Sequence, residues 1–568
     1  MKTFTNLRFL ALSIVLGVFL FPRVSLAQDK LLDILQEEVN REFAVLKTQE
    51  TPAYYIAYRV DESYGYNILA HFGALTYSDE GKSKILTVTV RVGSPKLDNF
   101  HELRDVSSGM SSYYFSQLNL PDEIDPLAIK NALWKATSDA YQEAVSKISK
   151  VKANVSIKVE EEDKTPDFTM DAPNKYEEQP IKPESVKFNV AEWEKRIKKY
   201  SSEFLKDSAI FYGYSGVSYR VLRKYYVSSA GDRIVQNNPS SNFYVQGIIK
   251  ADDGMEMPLY KSFCAYFPDK LPSDKEMMLS TQKVVKNLIA LKTAPVAEPF
   301  SGPALLSAEA SGVFFHEIFG HRVEGQRMKS EDDAQTFKKK VGELVLPKSM
   351  TVYFDPLQTS YEGIDLNGYY KYDDQGSKAE KVNIIENGIL KNFLMSRTPI
   401  RDFPRSNGHG RAQAGMQPVT RQSNLVVETS DFKSTKEIRD ELIRLAKEQN
   451  RPYGYLFQDV VGGFTTTGRY MPSAFNVMPT LVYRVYTDGR PDEIVRGVDL
   501  IGTPLAMFSQ IDMAGGEKGV FNGTCGAESG GVPVSGCSPM ILVKVIETQK
   551  KSKSQERPYI LSRPDETK

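Results

Sequence analysis

The segment from Ala308 to His321 constrains this chain more than any other. Ser307 can cap a helix running through Ala308, Ala310, Val313, Phe314 and Phe315, and that apolar helix leads into His316-Glu317-Ile318-Phe319-Gly320-His321. Two imidazoles flanking a carboxylate on an apolar helix are costly, because a buried carboxylate must be paired or put to use. Zinc accounts for all three, since imidazoles bind it and a nearby Glu can accept a proton from bound water. The spacing departs from the common HExxH. At about 100° per residue an i,i+4 pair shares one helix face, whereas an i,i+5 pair lies about 140° apart. Both histidines reach one ion only if the turn widens or the helix breaks, and Gly320 stands where a break is permitted. On spacing alone, structural histidines or a helix-end cap remain open. His101-Glu102 is the internal comparison: no His follows at +4 or +5, and the pair reads as surface.

The chain has 568 residues, enough for two to four domains, with Lys+Arg and Asp+Glu both at 72. With no basic excess and no strong basic patch, a nucleic-acid partner is not expected. Residues 1–27 read as a secretory signal peptide. Lys2 and Arg8 precede an apolar run from Phe9 to Phe21, and Ser25-Leu26-Ala27 offers a cleavage site before Gln28. Losing Lys2, Arg8 and Arg23 takes the net charge from zero to −3. No later stretch reaches membrane-spanning length, so no stable membrane anchor is expected, and the mature protein is expected in the periplasm or outside the cell. Export makes the three cysteines, Cys264, Cys525 and Cys537, candidates for oxidation; a Cys525–Cys537 bridge is the default for an arbitrary exported protein.

Helical spacing marks 31–46, 125–148 (capped by Asp125), 190–205 and 273–292. Strand-like stretches are Ala53–Val60, Leu69–Tyr77, Ile85–Val92 and the 209–268 region, whose turn signals are Gly231-Asp232 and Asp252-Asp253-Gly254. Residues 151–190 carry Glu160-Glu161-Glu162 and four prolines and read as a linker or insertion. The expected organisation is a 28–150 N-terminal α/β region, the 151–190 segment, a 191–294 middle α/β region, a 295–547 C-terminal domain and a 548–568 polar tail. The fold class is α+β: two mixed α/β lobes with largely antiparallel sheets and a metal site on a helix of the C-terminal lobe.

Several motifs in order carry a resemblance. Glu309-Ala310-Ser311-Gly312-Val313-Phe314-Phe315-His316-Glu317-Ile318-Phe319-Gly320-His321-Arg322-Val323-Glu324-Gly325 is similar to the HExxxH segment of the TldD/PmbA family of zinc metallopeptidases. Asp373-Asp374-Gln375-Gly376, Ile385-Glu386-Asn387-Gly388-Ile389-Leu390, Gly462-Gly463 with Thr465-Thr466-Thr467-Gly468, and Gly523-Thr524-Cys525-Gly526 resemble later parts of the same family. The match covers about 300–547 specifically and the remainder only in general character. It implies zinc (Zn2+) held by His316, His321 and Cys525 with water in the fourth position, and Glu317 as general base. A thiolate donates more charge than an imidazole, so Cys525 should weaken the metal as a Lewis acid. The resemblance also implies a homodimer, or a heterodimer with a related subunit.

Other residues carry two readings each. Gly462, Gly463 and Thr465 can present backbone to an extended peptide substrate, or form a tight loop. Arg411 and His409, in a stretch with Arg397, Arg401, Arg405 and Arg421, can hold a substrate carboxylate or lie in a solvated loop. Glu324 can orient a ligand imidazole or face solvent. Asp373-Asp374 reads as a turn. The function expected is an exported zinc metallopeptidase, a metalloprotease acting on unfolded or small peptides. The alternative is a non-catalytic peptide-binding or assembly subunit, which a Cys525–Cys537 disulfide would favour.

Overall fold

A computed structural model describes residues 29–103, 118–157, 163–330, 333, 335–469 and 475–551; the expected signal peptide and most of the polar tail lie outside them. The fold is α+β with mostly antiparallel sheets. Among the described residues no helix is long and apolar enough to cross a membrane.

The N-terminal lobe is one sheet covered by four helices. α1 (Lys30–Leu46) starts at Asp29, whose carboxylate accepts the Leu32 N–H. β1 (Ala53–His71) and β2 (Ala74–Ser94) form one long hairpin. The expected strand Leu69–Tyr77 is not a separate element: it straddles the turn, where Phe72 and Gly73 both take positive φ, as tight hairpins require. α2 (Pro126–Ile157) runs past the composition change at 151. α3 (Val190–Ser202), β3 (Ile210–Ser228), β4 (Arg233–Lys250), β5 (Glu256–Ala265) and α4 (Asp274–Thr293) complete the lobe. The strand order is β2-β1-β3-β4-β5, antiparallel throughout.

Strand alternation decides what each face meets. Ile56, Tyr58, Val60, Ile68 and Ala70 of β1 pack with Val217, Tyr225 and Val227 of β3 into the cores beneath the helices. Polar residues among the intervening positions turn toward the C-terminal lobe. Arg59 donates to the carbonyl of Gln413 (2.7 Å), Lys224 to Asp374 (2.6 Å) and Gln236 to the carbonyl of Tyr372 (2.6 Å). Asp373 and Asp374 do open a turn, closed by the Gly376 N–H on the Asp373 carbonyl, and the turn is buried, its carboxylates accepting backbone N–H groups from Gly410 and Ala412. His101 departs from the surface reading, being buried with Nδ1 2.8 Å from Asp167. Part of the 151–190 segment lies against the C-terminal lobe, where Arg397 donates to the carbonyl of Thr169 and sits 4.1 Å from the Phe168 ring centroid.

In the C-terminal lobe, β6 (Phe300–Leu306) leads through Ser307 into α5 (Ala308–Ile318), and the Ser307 hydroxyl accepts the Ala310 N–H as cap. The remaining strands that matter for the site are β7 (Asn424–Thr429), β8 (Tyr453–Thr465), β9 (Phe475–Tyr486), β10 (Val498–Gly502), β11 (Ile511–Ala527) and β12 (Gly530–Lys550). β12, β10, β9, β8 and β6 pair in turn, and β6 pairs back to β12, closing a ring. β12 pairs with β10 as far as Lys550, so the polar tail begins after the expected 548. β11 and β12 form a hairpin that lies under α5. There Gly312 and Gly536 meet backbone to backbone: a Cβ on Gly312 would lie 2.5 Å from the Gly536 oxygen, and one on Gly536 2.8 Å from the Gly312 oxygen. Ser311 and Ser538 add a hydroxyl pair at 2.7 Å beside this crossing.

The contact between Lys224 and Asp374 leads to a prediction about the lobes. Lys224→Met leaves a buried carboxylate short of its nearest cation and is expected to cost about 3 kcal/mol, read as a lower midpoint in urea. An unchanged midpoint would show that Arg59 and the backbone donors suffice.

Candidate metal centre

α5 ends at Ile318. Phe319 leaves helical geometry (φ −122°, ψ −53°), and Gly320–Val323 forms a short 3-10 turn. This break turns His321 back toward His316, whose ring centroid lies 4.9 Å away at 81°. The i,i+5 spacing thus works through a helix end. Gly320 is required for a reason other than conformational freedom: a Cβ there would lie 1.8 Å from the Gln422 Oε1.

Cys525, near the tip of the β11–β12 hairpin, completes the group. One ligand atom each from His316, His321 and Cys525 lies within 4.8 Å of the others, and Cys525 Sγ is 3.3 Å from His321 Nε2. Two donors on a tetrahedral zinc, with sulfur at 2.3 Å and nitrogen at 2.0–2.1 Å, stand about 3.5 Å apart. Two imidazoles and a thiolate, with neither ring nitrogen nor sulfur far from this separation, fit zinc in number and softness. All three cysteines are free. Cys525 pairs with Val532 and Cys537 with Val520 along the same hairpin. That places the two cysteines about five residues, roughly 16 Å, apart at strand rise, far beyond disulfide reach.

The surrounding charges are buried and coupled. Burial opposes ionisation of the Cys525 thiol, but His321 and His316 outweigh it and hold the thiol well below its usual range. Burial would lower His321, yet Cys525 and Glu324 raise it far above an ordinary imidazole. Glu324 lies behind His321, with Oε2 3.3 Å from Nδ1 and 2.9 Å from Arg327 Nε. Burial raises its pKa, but His321, Arg327 and Arg421 bring it down to about 2. Arg327 also reaches Glu528 at 3.0 Å. Glu324 is thus placed to orient the His321 imidazole.

Arg421 is a site residue that sequence reasoning left among a run of arginines. Its Nη2 donates to the Cys525 carbonyl (2.6 Å) and reaches Sγ at 3.2 Å, while Nη1 donates to Ser529 Oγ and the Gly530 carbonyl, both at 2.8 Å. A guanidinium against the sulfur draws charge from it, offsetting the donation that would weaken a Lewis acid. The structure does not bring Arg411 and His409 to a substrate surface. Arg411 is buried, donates to the Gln422 carbonyl and lies over the Tyr370 ring. His409 is fully buried between Asn407 and Ser423, and burial lowers its pKa to about 3. Both brace the 421–423 loop from behind. The signal that separates Arg421 from its neighbours is position: it precedes β7, which runs parallel to β12 beside the Cys525 hairpin.

Glu317 is buried, and Gly463 makes room for it, since a Cβ on Gly463 would lie 2.7 Å from Glu317 Cγ. Arg322 donates to the Glu317 carbonyl (2.8 Å) and to the Thr466 carbonyl (3.1 Å), tying the end of α5 to the loop after β8. Gly462 adopts φ 148° at a bulge, where Val460 pairs with Pro479 and Gly463 with Val477. Thr465 closes the strand opposite Phe475. Beyond Phe457, no strand among the described residues pairs with the second edge of β8.

This architecture belongs to a known group. Residues 300–550 match the PmbA/TldA metallopeptidase C-terminal domain. The part of the chain that carries the candidate site is thus similar to the C-terminal domain of that family. It is 28% identical over 313 residues to metalloprotease MJ0996 of Methanocaldococcus jannaschii, covering 55% of this chain and 64% of that one. Its identity to a zinc metalloprotease TldD homolog of Saccharolobus solfataricus is 25% over 331 residues, 58% of this chain and 69% of the relative. The crystal structure of TldE from Thermococcus kodakarensis shares the fold, with a TM-score of 0.59 at 14% identity, over 92% of this chain and 100% of that one. The matches span 51–64% of the length of three of the metalloprotease relatives.

Two outcomes are expected from these contacts. Glu324→Gln should weaken zinc binding about 10–100-fold, measured by competition with a chromogenic chelator. Gly463→Ala should leave zinc affinity unchanged while displacing Glu317, lowering any hydrolytic rate by about 10²-fold. Full activity in Gly463→Ala would mean that the Glu317 carboxylate does not need its present position.

Proposed function

We propose that this chain is an exported zinc-dependent peptidase acting on unfolded or small peptides. The observation that carries the reading is the convergence of His316, His321 and Cys525 within 4.8 Å, one helical residue away from a buried Glu317. When bound there, zinc would supply Lewis-acid polarisation of a peptide carbonyl and of water.

The protein's own groups account for the rest. Glu317 would take the proton of the attacking water and return it to the leaving amine. Arg322 holds the backbone carbonyl of Glu317 and so limits how far that residue can move. The edge of β8 from Gln458 to Phe464, which no strand among the described residues pairs, would receive an extended peptide as an added strand, with main-chain hydrogen bonds that tolerate many sequences. Exposed Val461, Phe464 and Met478 offer apolar contacts along it. A Cys525–Cys537 disulfide, which would favour a non-catalytic subunit, is incompatible with the hairpin register. Export past residues 1–27, and assembly as a homodimer or with a related subunit, belong to this proposal and rest on the sequence alone.

Glu317→Gln is expected to keep one zinc per chain and to lose about 10²–10⁴-fold in peptide hydrolysis, followed with labelled casein. His316→Ala should lose the metal as well. Hydrolysis retained by Glu317→Gln would sink the mechanism, and a wild-type protein without zinc would sink the peptidase reading itself.

A further inference from the structure

The face of the N-terminal sheet that meets the C-terminal lobe carries a cation that neither lobe has used. Arg220 of β3 shares this face with Lys224, since strand side chains alternate. Lys224 is taken by Asp374 (2.6 Å), and Arg59 by Asp61 (2.8 Å) and the Gln413 carbonyl (2.7 Å). The Arg220 guanidinium has no ion pair or hydrogen bond among the described residues. It is exposed, yet burial lowers its pKa against the pull of Asp61, so it stands in a recess and not on a convex surface. The neighbours that form the floor are small. Gly65 and Ser240 lie opposite Arg220 on β1 and β4, and a Cβ on Gly65 would lie 2.1 Å from the Tyr219 oxygen. The walls stand further out along the strands. On one side Asn238 donates to the Tyr369 carbonyl of the C-terminal lobe (3.0 Å); on the other the Tyr244 ring covers Gly216, where a Cβ would lie 2.4 Å from the ring.

Asn67 is the diagonal neighbour of Arg220 on this face: it pairs with Ser218 while Arg220 pairs with Gly65. Diagonal neighbours stand about 7–8 Å apart, close to the span of two residues of extended peptide. The Asn67 Oδ1 is buried and has no donor among the described residues. Asp79, across from Asn67 on the exposed edge strand, accepts the Glu80 N–H (2.9 Å). An unpaired planar cation beside an unfilled acceptor suits a ligand that offers a carboxylate and, a short way back, an N–H. A free phosphate or simple carboxylate ion would leave Asn67 unfilled. We propose that this recess binds the free carboxyl end of a short peptide, the carboxylate on the Arg220 fork and a backbone N–H on Asn67 Oδ1. The inference rests on the peptidase reading for the ligand being a peptide; substrates and products of such an enzyme both end in a carboxylate. No bond is made or broken in the recess.

The test uses the full mature protein carrying Glu317→Gln, so that bound peptide is not consumed. A short unstructured peptide is made as the free acid and as the C-terminal amide, and both are titrated by calorimetry. The acid is expected to bind about 10–100-fold tighter than the amide. Arg220→Gln, at an exposed position, should melt with its parent and bind both forms at the amide's affinity. Arg220→Lys keeps the charge without the fork and should restore part of the difference. Asn67→Ala should weaken the acid about 2–10-fold. Equal binding of acid and amide would overturn the proposal. So would a preference for the acid that survives in Arg220→Gln, or an acid affinity untouched by Asn67→Ala. Wild-type protein that hydrolyses no peptide yet keeps an Arg220-dependent preference for the acid would remove the peptidase reading and leave the recess standing.

Discussion

The contact on which the site depends is the crossing of Gly312 over Gly536. A helix normally stands off a sheet by the length of its side chains. Here two residues without Cβ atoms let α5 touch the β11–β12 hairpin directly, with Ser311 and Ser538 bonded alongside. The helix carries His316 and the hairpin carries Cys525. Any larger residue at the crossing would lift one from the other and separate donors that now lie within 4.8 Å. Gly320 and Gly463 follow the same logic at finer scale, since each is small so that Gln422 or Glu317 can occupy the space.

The charges around the cluster form a continuous set that runs from the half-buried Glu528 through the buried Arg327, Glu324, His321, Cys525 and Arg421. Isolated, each would be expensive to bury; joined, each offsets its neighbour. The set also divides labour. Glu324 makes His321 a better donor, whereas Arg421 restrains Cys525 as a donor. A site built from a thiolate can therefore keep a more acidic metal than its ligand types alone suggest, because the second layer of charge opposes the first.

Much of the N-terminal lobe was legible because its elements rest on local signals: helical spacing, the cap at Asp125, and turn residues at Gly231 and Gly254. The errors came where local polarity was read as exposure. His101 is polar and buried against Asp167, and the turn at Asp373-Asp374 is buried where the sheet meets the second lobe. Arg411 and His409 were misread for the same reason. A polar, glycine-containing stretch looks solvated in one dimension, and only its partners, Gln422 and Ser423, reveal it as a brace.

Cys525 entered as a candidate third donor only through the family resemblance; by itself the sequence determined the apolar helix ending in His316-Glu317 and the second histidine at a spacing that demands a helix break. Those are local facts of residue type and periodicity. The tertiary structure decided what the spacing could not: that the break occurs at Phe319, that Cys525 joins the histidines and stands too far from Cys537 for a disulfide, and that Arg421 and Gln422 are the residues of their loop that touch the site. The physical reason is that convergence depends on backbone approach between segments some 200 residues apart. Glycines with no side chain of their own set that approach, and no pattern within either segment records it.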